Sequence, residues 1–218
     1  MVVSMNKSQA ISEINSIFGK YGSSPNIPAG TGKIYELYCL GLLLKELDTR
    51  GFTLSYHGPY SATFKAGPGL IKTGDPHFDL EYNGVTQAQI YLNIEFQTLG
   101  SVHAAVNDRS CRHELDIVIV EDGVTGRPAH NEILMGVECK STANFGKSII
   151  KETLGVRREM TLLRDFFDSE LTQLNSGWGV QVNCDPLSEY WLCFVDPKGT
   201  NYSASAEYFG VELKHWDP

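Results

Sequence analysis

The chain of 218 residues is 42% hydrophobic and 20% charged, enough apolar content to bury a core in one domain over 1–218, which excludes a disordered or collagen-like chain. Lys plus Arg number 18 against 26 Asp plus Glu, and the formal net charge of -8 excludes the broad positive surface of a non-specific nucleic-acid coat. The N-terminal segment MVVSMNKSQAISEINS has no apolar block of signal-peptide length, and the longest apolar run, 37–44, is too short to span a bilayer. A soluble, unsecreted protein with no membrane partner is expected.

In chain order, 7–20 has the pattern of a short amphipathic helix, and YGSSPNIPAGTG (21–32) is linker-like. Residues 33–48 predict a stronger helix, with Leu37, Leu40, Leu43, Leu44 and Leu47 at helical spacing and Gly51 as its stop. Between 52 and 100 the pattern changes to β-rich runs, FTLSY, ATFKA, FDLEY and IYLNIEF, with a hairpin signal at Asn83-Gly84. Asn93, Glu95 and Gln97 alternate onto one face of the last run and are expected to face water. LDIVIV (115–120) and ILMGVEC (133–139) are apolar on both faces, as central strands covered by helices are. A long helix is expected over 147–174, with Ile150, Leu154, Leu163, Phe167, Leu171 and Leu174 near one face. A strand at 190–195, a short helix near 204–208 and a strand at 211–215 complete an α/β or α+β fold around one mixed sheet.

Five cysteines, Cys39, Cys111, Cys139, Cys184 and Cys193, are scattered and form no CxxC pair. They point to reduced thiols in a cytoplasmic compartment rather than to zinc or a disulfide framework.

Asp116 lies in the first central strand; Glu138 and Lys140 end the second, two residues apart and so on one face. If the strands are neighbours, two carboxylates and an ammonium meet at one end of the sheet. Such carboxylates repel unless a cation sits between them, and oxygen ligands suit Mg²⁺ or Mn²⁺. A nearby Lys would orient a water or stabilise charge on a phosphate.

Asp116 in HELDIVIVED and Glu138-Cys139-Lys140 in GVECKST resemble the motif of the PD-(D/E)XK nuclease superfamily, the restriction-endonuclease-like fold. That family places an acid on a helix before the sheet, and Glu36 fits, preceding Leu40, Leu43 and Leu47 on the inward stripe. The resemblance implies a restriction-endonuclease-like core in which Asp116 and Glu138 bind the catalytic metal with the Cys139 carbonyl. Lys140 then assists the attacking water and Glu36 completes the acidic cluster. The implied activity is DNA hydrolysis, as in restriction or phage-defence endonucleases. Cleavage of RNA or of a nucleotide uses the same chemistry, and a non-catalytic module in a larger complex is the alternative. Leu115 stands where the family often has Pro, and 52–100 reads as a β-rich insertion suited to recognition or dimerisation. Double-strand cutting would require two such sites, hence a homodimer.

Roughly two acidic-x-basic triplets are expected by chance at this composition, and Asp196-Pro197-Lys198 and Glu212-Leu213-Lys214 also match. A rival set of Asp196, Glu212 and Lys214 fails on context, because four residues follow Lys214 and no helix can. After the motif, Lys147, Lys151, Arg157, Arg158 and Arg164 lie on the expected helix among Glu152, Glu159 and Asp165. Phosphate contact is expected best of Lys147 and Lys151, with Arg157 and Arg158 as further candidates. Pro28 to Lys33 lacks the spacing of a phosphate loop and reads as a flexible entry to the Glu36 helix. His113, three before Asp116, is expected to be structural.

Overall fold

A computed structural model describes residues 5–105, 108–175 and 179–218; residues 1–4 of the N-terminal segment lie outside them. Helix α1 (Lys7–Lys20) is capped by Asn6, whose side chain accepts the Gln9 N–H at 3.2 Å. Helix α2 (Thr31–Thr49) is closed by Gly51, whose φ of 88° suits glycine alone. The two helices touch where α2 carries Gly41: a Cβ there would come within 3.0 Å of Ile17. Because α2 is buried both by α1 and by the sheet, Ile34, Tyr35, Leu40 and Leu44 are all inside although they point in different directions.

Strands β1 (Thr53–His57), β2 (His77–Tyr82), β3 (Val85–Gln97), β4 (Arg112–Glu121) and β5 (Ile133–Lys140) run antiparallel in that order. The Asn83-Gly84 turn, with φ of 53° and 75°, joins β2 to β3. A short helix, α3 (Leu99–Ala104), follows β3. After β5 come α4 (Lys147–Met160), β6 (Leu162–Asp168), α5 (Glu170–Leu174) and β7 (Gln181–Asp185). Then β8 (Glu189–Phe194) lies parallel to β5, and after α6 (Ser203–Tyr208), β9 (Glu212–His215) lies parallel to β8. The result is an α+β protein with a mixed seven-stranded sheet, order β1-β2-β3-β4-β5-β8-β9, and a separate β6-β7 pair.

The sheet separates two cores. One packs α1 and α2 against Phe78, Leu92, Ile117, Val137 and Trp191. The other packs α4 and the preceding loop, through Phe145, Ile149 and Ile150, against Ile94, Leu115, Leu192 and Phe194. Among the described residues no helix is long and apolar enough to cross a membrane, and all five cysteines are free thiols.

Two expectations are corrected. The helix expected over 147–174 ends at Met160. The β-prone run that follows pairs with β7 through Leu163↔Cys184 and Phe167↔Val182, leaving Leu163 and Phe167 50% and 43% exposed rather than inward. Ser169 restarts a helix by accepting the Thr172 N–H. ATFKA is not a strand: Gly58, Pro59, Gly67, Pro68, Gly74 and Pro76 break the 58–76 connection, though Ala62 and Phe64 are buried. The β-rich 52–100 stretch contributes β1, β2 and β3 to the central sheet itself.

Candidate active site

Strands β4 and β5 pair from Val120↔Ile133 as far as Ile117↔Val137 and then part. Asp116 stands at the fork. Its Oδ2 accepts the Cys139 N–H at 2.7 Å, so a side chain takes over where the backbone ladder stops. Glu138 and Lys140 share a face of β5, as their spacing requires, and Lys140 Nζ lies 3.1 Å from Glu138 Oε2.

Glu36 reaches this region from α2, and its residue is 7% exposed. Lys33, one turn earlier, donates to Glu36 Oε2 at 2.9 Å and to Asn93 Oδ1 at 2.6 Å. Asn93 in turn donates to Glu36 Oε2 at 3.2 Å and to the Lys65 carbonyl at 2.7 Å. The expectation that Asn93 faces water is overturned: it is fully buried, with φ of 55°, in the middle of β3. That left-handed residue shifts the phase of the strand. Leu92 pairs with Ile117 and both face the α1/α2 core, whereas Ile94 pairs with Leu115 and both face the α4 core. Asn93 and Asp116 lie between these pairs, level with each other. A non-glycine left-handed residue inside a strand persists only where its surroundings hold it, and here its amide carries the contacts to Glu36 and Lys65.

The electrostatics join these residues. Burial, and then the Asp116 charge, push Glu36 up to about 7 against the opposing pull of Lys33 and Asn93. Glu138 is likewise pushed up to about 7 by burial and then by Asp116, against Lys140. Burial raises Asp116 as well, opposed by the Cys139 N–H and by Lys140 and Lys33. Burial works to lower Lys140, but the Glu138 and Asp116 carboxylates prevail and hold it raised, as an ammonium. Glu114, two before Asp116 on β4, is raised by burial and by Asp116, and its Oε1 is buried without a hydrogen-bond partner among the described residues.

Four carboxylates, Glu36, Glu114, Asp116 and Glu138, thus face two ammoniums, Lys33 and Lys140. The excess of negative charge, the raised acids and the orphaned Glu114 oxygen fit a divalent cation held by oxygen. Their oxygens do not yet converge: among the described residues, the group whose ligand atoms all lie within 4.8 Å of one another is His57, His77 and Asp79, elsewhere on the sheet. A cavity of about 170 Å³, lined in part by Ile27, Pro28, Lys33, Glu36 and Lys65, opens beside Glu36. A larger concavity, about 570 Å³ between α4 and β6, is lined by Leu154, Leu162, Leu163 and Phe209 and holds none of the acids. Charge rather than volume singles out the acid cluster.

On α4, Lys147, Lys151 and Arg158 are exposed, and Glu152 lies near enough to Lys140 to strengthen its charge. Arg157, expected to contact phosphate, points into the protein instead. It is 2% exposed and donates to the Ser188 hydroxyl and carbonyl at 3.1 and 2.8 Å, so it braces the core. Arg164 is on β6, over the Phe167 ring and 3.5 Å from Asp185. His113 packs on Phe96, outside the acid cluster. The rival triplets are structural: Asp196 accepts the N–H groups of Phe145 and Lys198, and Lys214 pairs with Glu212 on the edge strand.

Lys33, Asn93 and Glu114 escape the motif reading. Lys33 and Glu114 carry a local signal, three residues from Glu36 and two from Asp116; Asn93 carries none. Comparisons with protein-family models, with curated proteins and with solved structures found no match.

Proposed function

We propose that the protein is a metal-dependent phosphodiesterase of the restriction-endonuclease-like fold that hydrolyses DNA. The observation that carries this reading is the meeting of Glu36, Asp116, Glu138 and Lys140 in one buried, acid-rich fork of the sheet. The order of elements supports it too: the Glu36 helix precedes the strands bearing Asp116 and Glu138-x-Lys140, and α4 follows.

Glu36, Asp116 and Glu138, with the Cys139 carbonyl, would hold Mg²⁺ or Mn²⁺. Bound there, the ion supplies Lewis-acid polarisation of a phosphoryl oxygen and a more acidic water. The raised acids would release their protons on becoming ligands. Lys140 stays an ammonium and places positive charge where negative charge grows on the phosphate. Lys33 and Asn93 fix the Glu36 carboxylate. Lys147, Lys151 and Arg158 take neighbouring phosphates. Such a protein acts on double strands as a homodimer or within a larger complex, and its free thiols suit the cytoplasm.

The test is incubation of the purified chain with linear, circular and single-stranded DNA, with and without Mg²⁺ or Mn²⁺. Cleavage is expected with metal alone, reduced roughly 10²–10⁴-fold in Lys140→Ala and abolished in Asp116→Ala. Metal-independent cleavage, or cleavage indifferent to both substitutions, overturns the assignment. Cleavage of RNA in place of DNA keeps the chemistry and replaces the substrate.

A further inference from the structure

Among the described residues, the His and Asp side chains whose ligand atoms do converge lie away from the acid fork, at the β1-β2 edge of the sheet. His57 and His77 are directly opposite each other across this antiparallel pair, and Asp79 is two residues along β2. Phe78 and Leu80 point into the α1/α2 core, so His77 and Asp79 take the other face. The imidazole rings stack with centroids 5.1 Å apart. His57 Nε2 lies 2.9 Å from Asp79 Oδ2, and His77 Nε2 lies 3.4 Å from Asp79 Oδ1.

Hydrogen-bond roles show what the arrangement lacks. His77 Nδ1 is 2.8 Å from the Asp75 carbonyl. A carbonyl only accepts, so Nδ1 carries the proton, and in the neutral ring Nε2 is a bare lone pair. That lone pair faces a carboxylate oxygen. The Gln89 amide N–H₂ reaches both acceptors, at 3.4 Å from His77 Nε2 and 3.1 Å from Asp79 Oδ1, and a metal ion held by the two would neutralise the carboxylate as well as fill the lone pair. The metal is favoured by what surrounds the ligands. An imidazole that spends its far N–H on a backbone carbonyl is oriented as metal-bound histidines are. Asp79 is held in the same manner by Gln89, which donates to its Oδ1 at 3.1 Å and is itself positioned by the Tyr91 hydroxyl at 3.1 Å. In a tetrahedral zinc site, ligand atoms lie about 3.3 Å apart, close to the two spacings measured here. The His57 side chain is 51% exposed, which leaves a route for entry and a face for water.

We propose that His57, His77 and Asp79 form a binding site for a transition-metal ion of the Zn²⁺ class, with His77 and Asp79 pre-oriented by the Asp75 carbonyl and Gln89. The site is independent of the acid fork and of the activity assigned to it. Its structural consequence falls on the 58–76 connection. Lys65 pairs with Asp75, whose carbonyl holds His77, and the Lys65 carbonyl accepts from Asn93 at 2.7 Å. An ion at the sheet edge therefore pins the segment that buttresses Asn93 and, through it, Glu36.

The experiment titrates the chelator-stripped full-length chain with Co²⁺, following the visible absorption of tetrahedral cobalt, and then displaces it with Zn²⁺. It is run in parallel on Asp116→Asn, which disables the acid fork and leaves this site intact. One cobalt per chain with a tetrahedral spectrum is expected in both proteins. Binding should weaken roughly 10–100-fold in Gln89→Ala, which removes the amide that orients Asp79 but no ligand, and be lost in His77→Ala. His57→Gln, at a half-exposed position that tolerates change, should lose it too while keeping the parent's circular dichroism. Zn²⁺ should also slow proteolysis within 58–76 in the parent but not in His57→Gln. Absence of a tetrahedral spectrum, or a spectrum unchanged in His57→Gln and His77→Ala, overturns the proposal and leaves the Gln89 amide as the group shared by His77 and Asp79.

Discussion

Asp116→Asn should make the metal-free protein more stable while abolishing the proposed cleavage. The asparagine keeps an oxygen for the Cys139 N–H but removes the charge that helps push Glu36 and Glu138 from an ordinary 4.5 to about 7. Displacement of that size corresponds to about 3 kcal/mol for each carboxyl. Burial is the larger cause and Asp116 the second, so part of it disappears with the charge. The variant should gain about 1–2 kcal/mol, or roughly 3–6 °C in Tm for a chain of this length. The sign follows from linkage. Acids raised in the folded state bind protons there more tightly than in the unfolded chain, so the stability they confer is present below about pH 4.5 and is lost as pH rises through about 7. The gain should therefore be seen at pH 8 in chelator and close towards pH 4. Thermal denaturation of both proteins at both pH values measures it, and Mg²⁺ or Mn²⁺ should then raise the Tm of the parent far more than that of the variant. An asparagine variant no more stable than the parent at pH 8 would refute the argument that these acids crowd one another.

At Asn93, Gly accepts the φ of 55° and Ala does not, so Asn93→Ala should be about 1–2 kcal/mol less stable than Asn93→Gly; cleavage should fall in both, since each strips the amide from Glu36. Arg50 Nη1 lies 3.0 Å from both Glu189 oxygens, with both side chains 2% exposed. Arg50→Met should cost about 3–5 kcal/mol in urea denaturation by stranding the carboxylate, and adding Glu189→Leu should recover most of it; simple additivity would show that the two do not act as a pair. In β5, a Cβ on Gly136 would come within 3.0 Å of Tyr190 and 3.1 Å of Leu115, both buried. Gly136→Ala should lower stability by about 1–3 kcal/mol, read from the denaturation midpoint.

Much of this protein is readable from local pattern. Helical periodicity marks α1 and α2, the Asn-Gly turn marks the β2-β3 hairpin, and two doubly apolar runs mark β4 and β5, because each is set by contacts within a few residues. The Glu138 and Lys140 pairing follows from strand alternation alone, and the order of Glu36, Asp116 and Glu138-x-Lys140 is a property of the sequence.

Only the tertiary structure decides the rest. Alternation assigns Asn93 to water, yet a left-handed φ at that residue reverses the phase of β3 and turns its amide to Glu36. The helical spacing of Leu163 and Phe167 yields to pairing with Val182 and Cys184. Arg157 resembles its exposed neighbours in sequence and is buried because Ser188, thirty-one positions away, supplies its acceptors. His57 and His77 are twenty residues apart and meet only through the register of β1 on β2. In each case the deciding partner is remote along the chain. A short-range pattern records which face a residue prefers, whereas register and burial determine what that face meets.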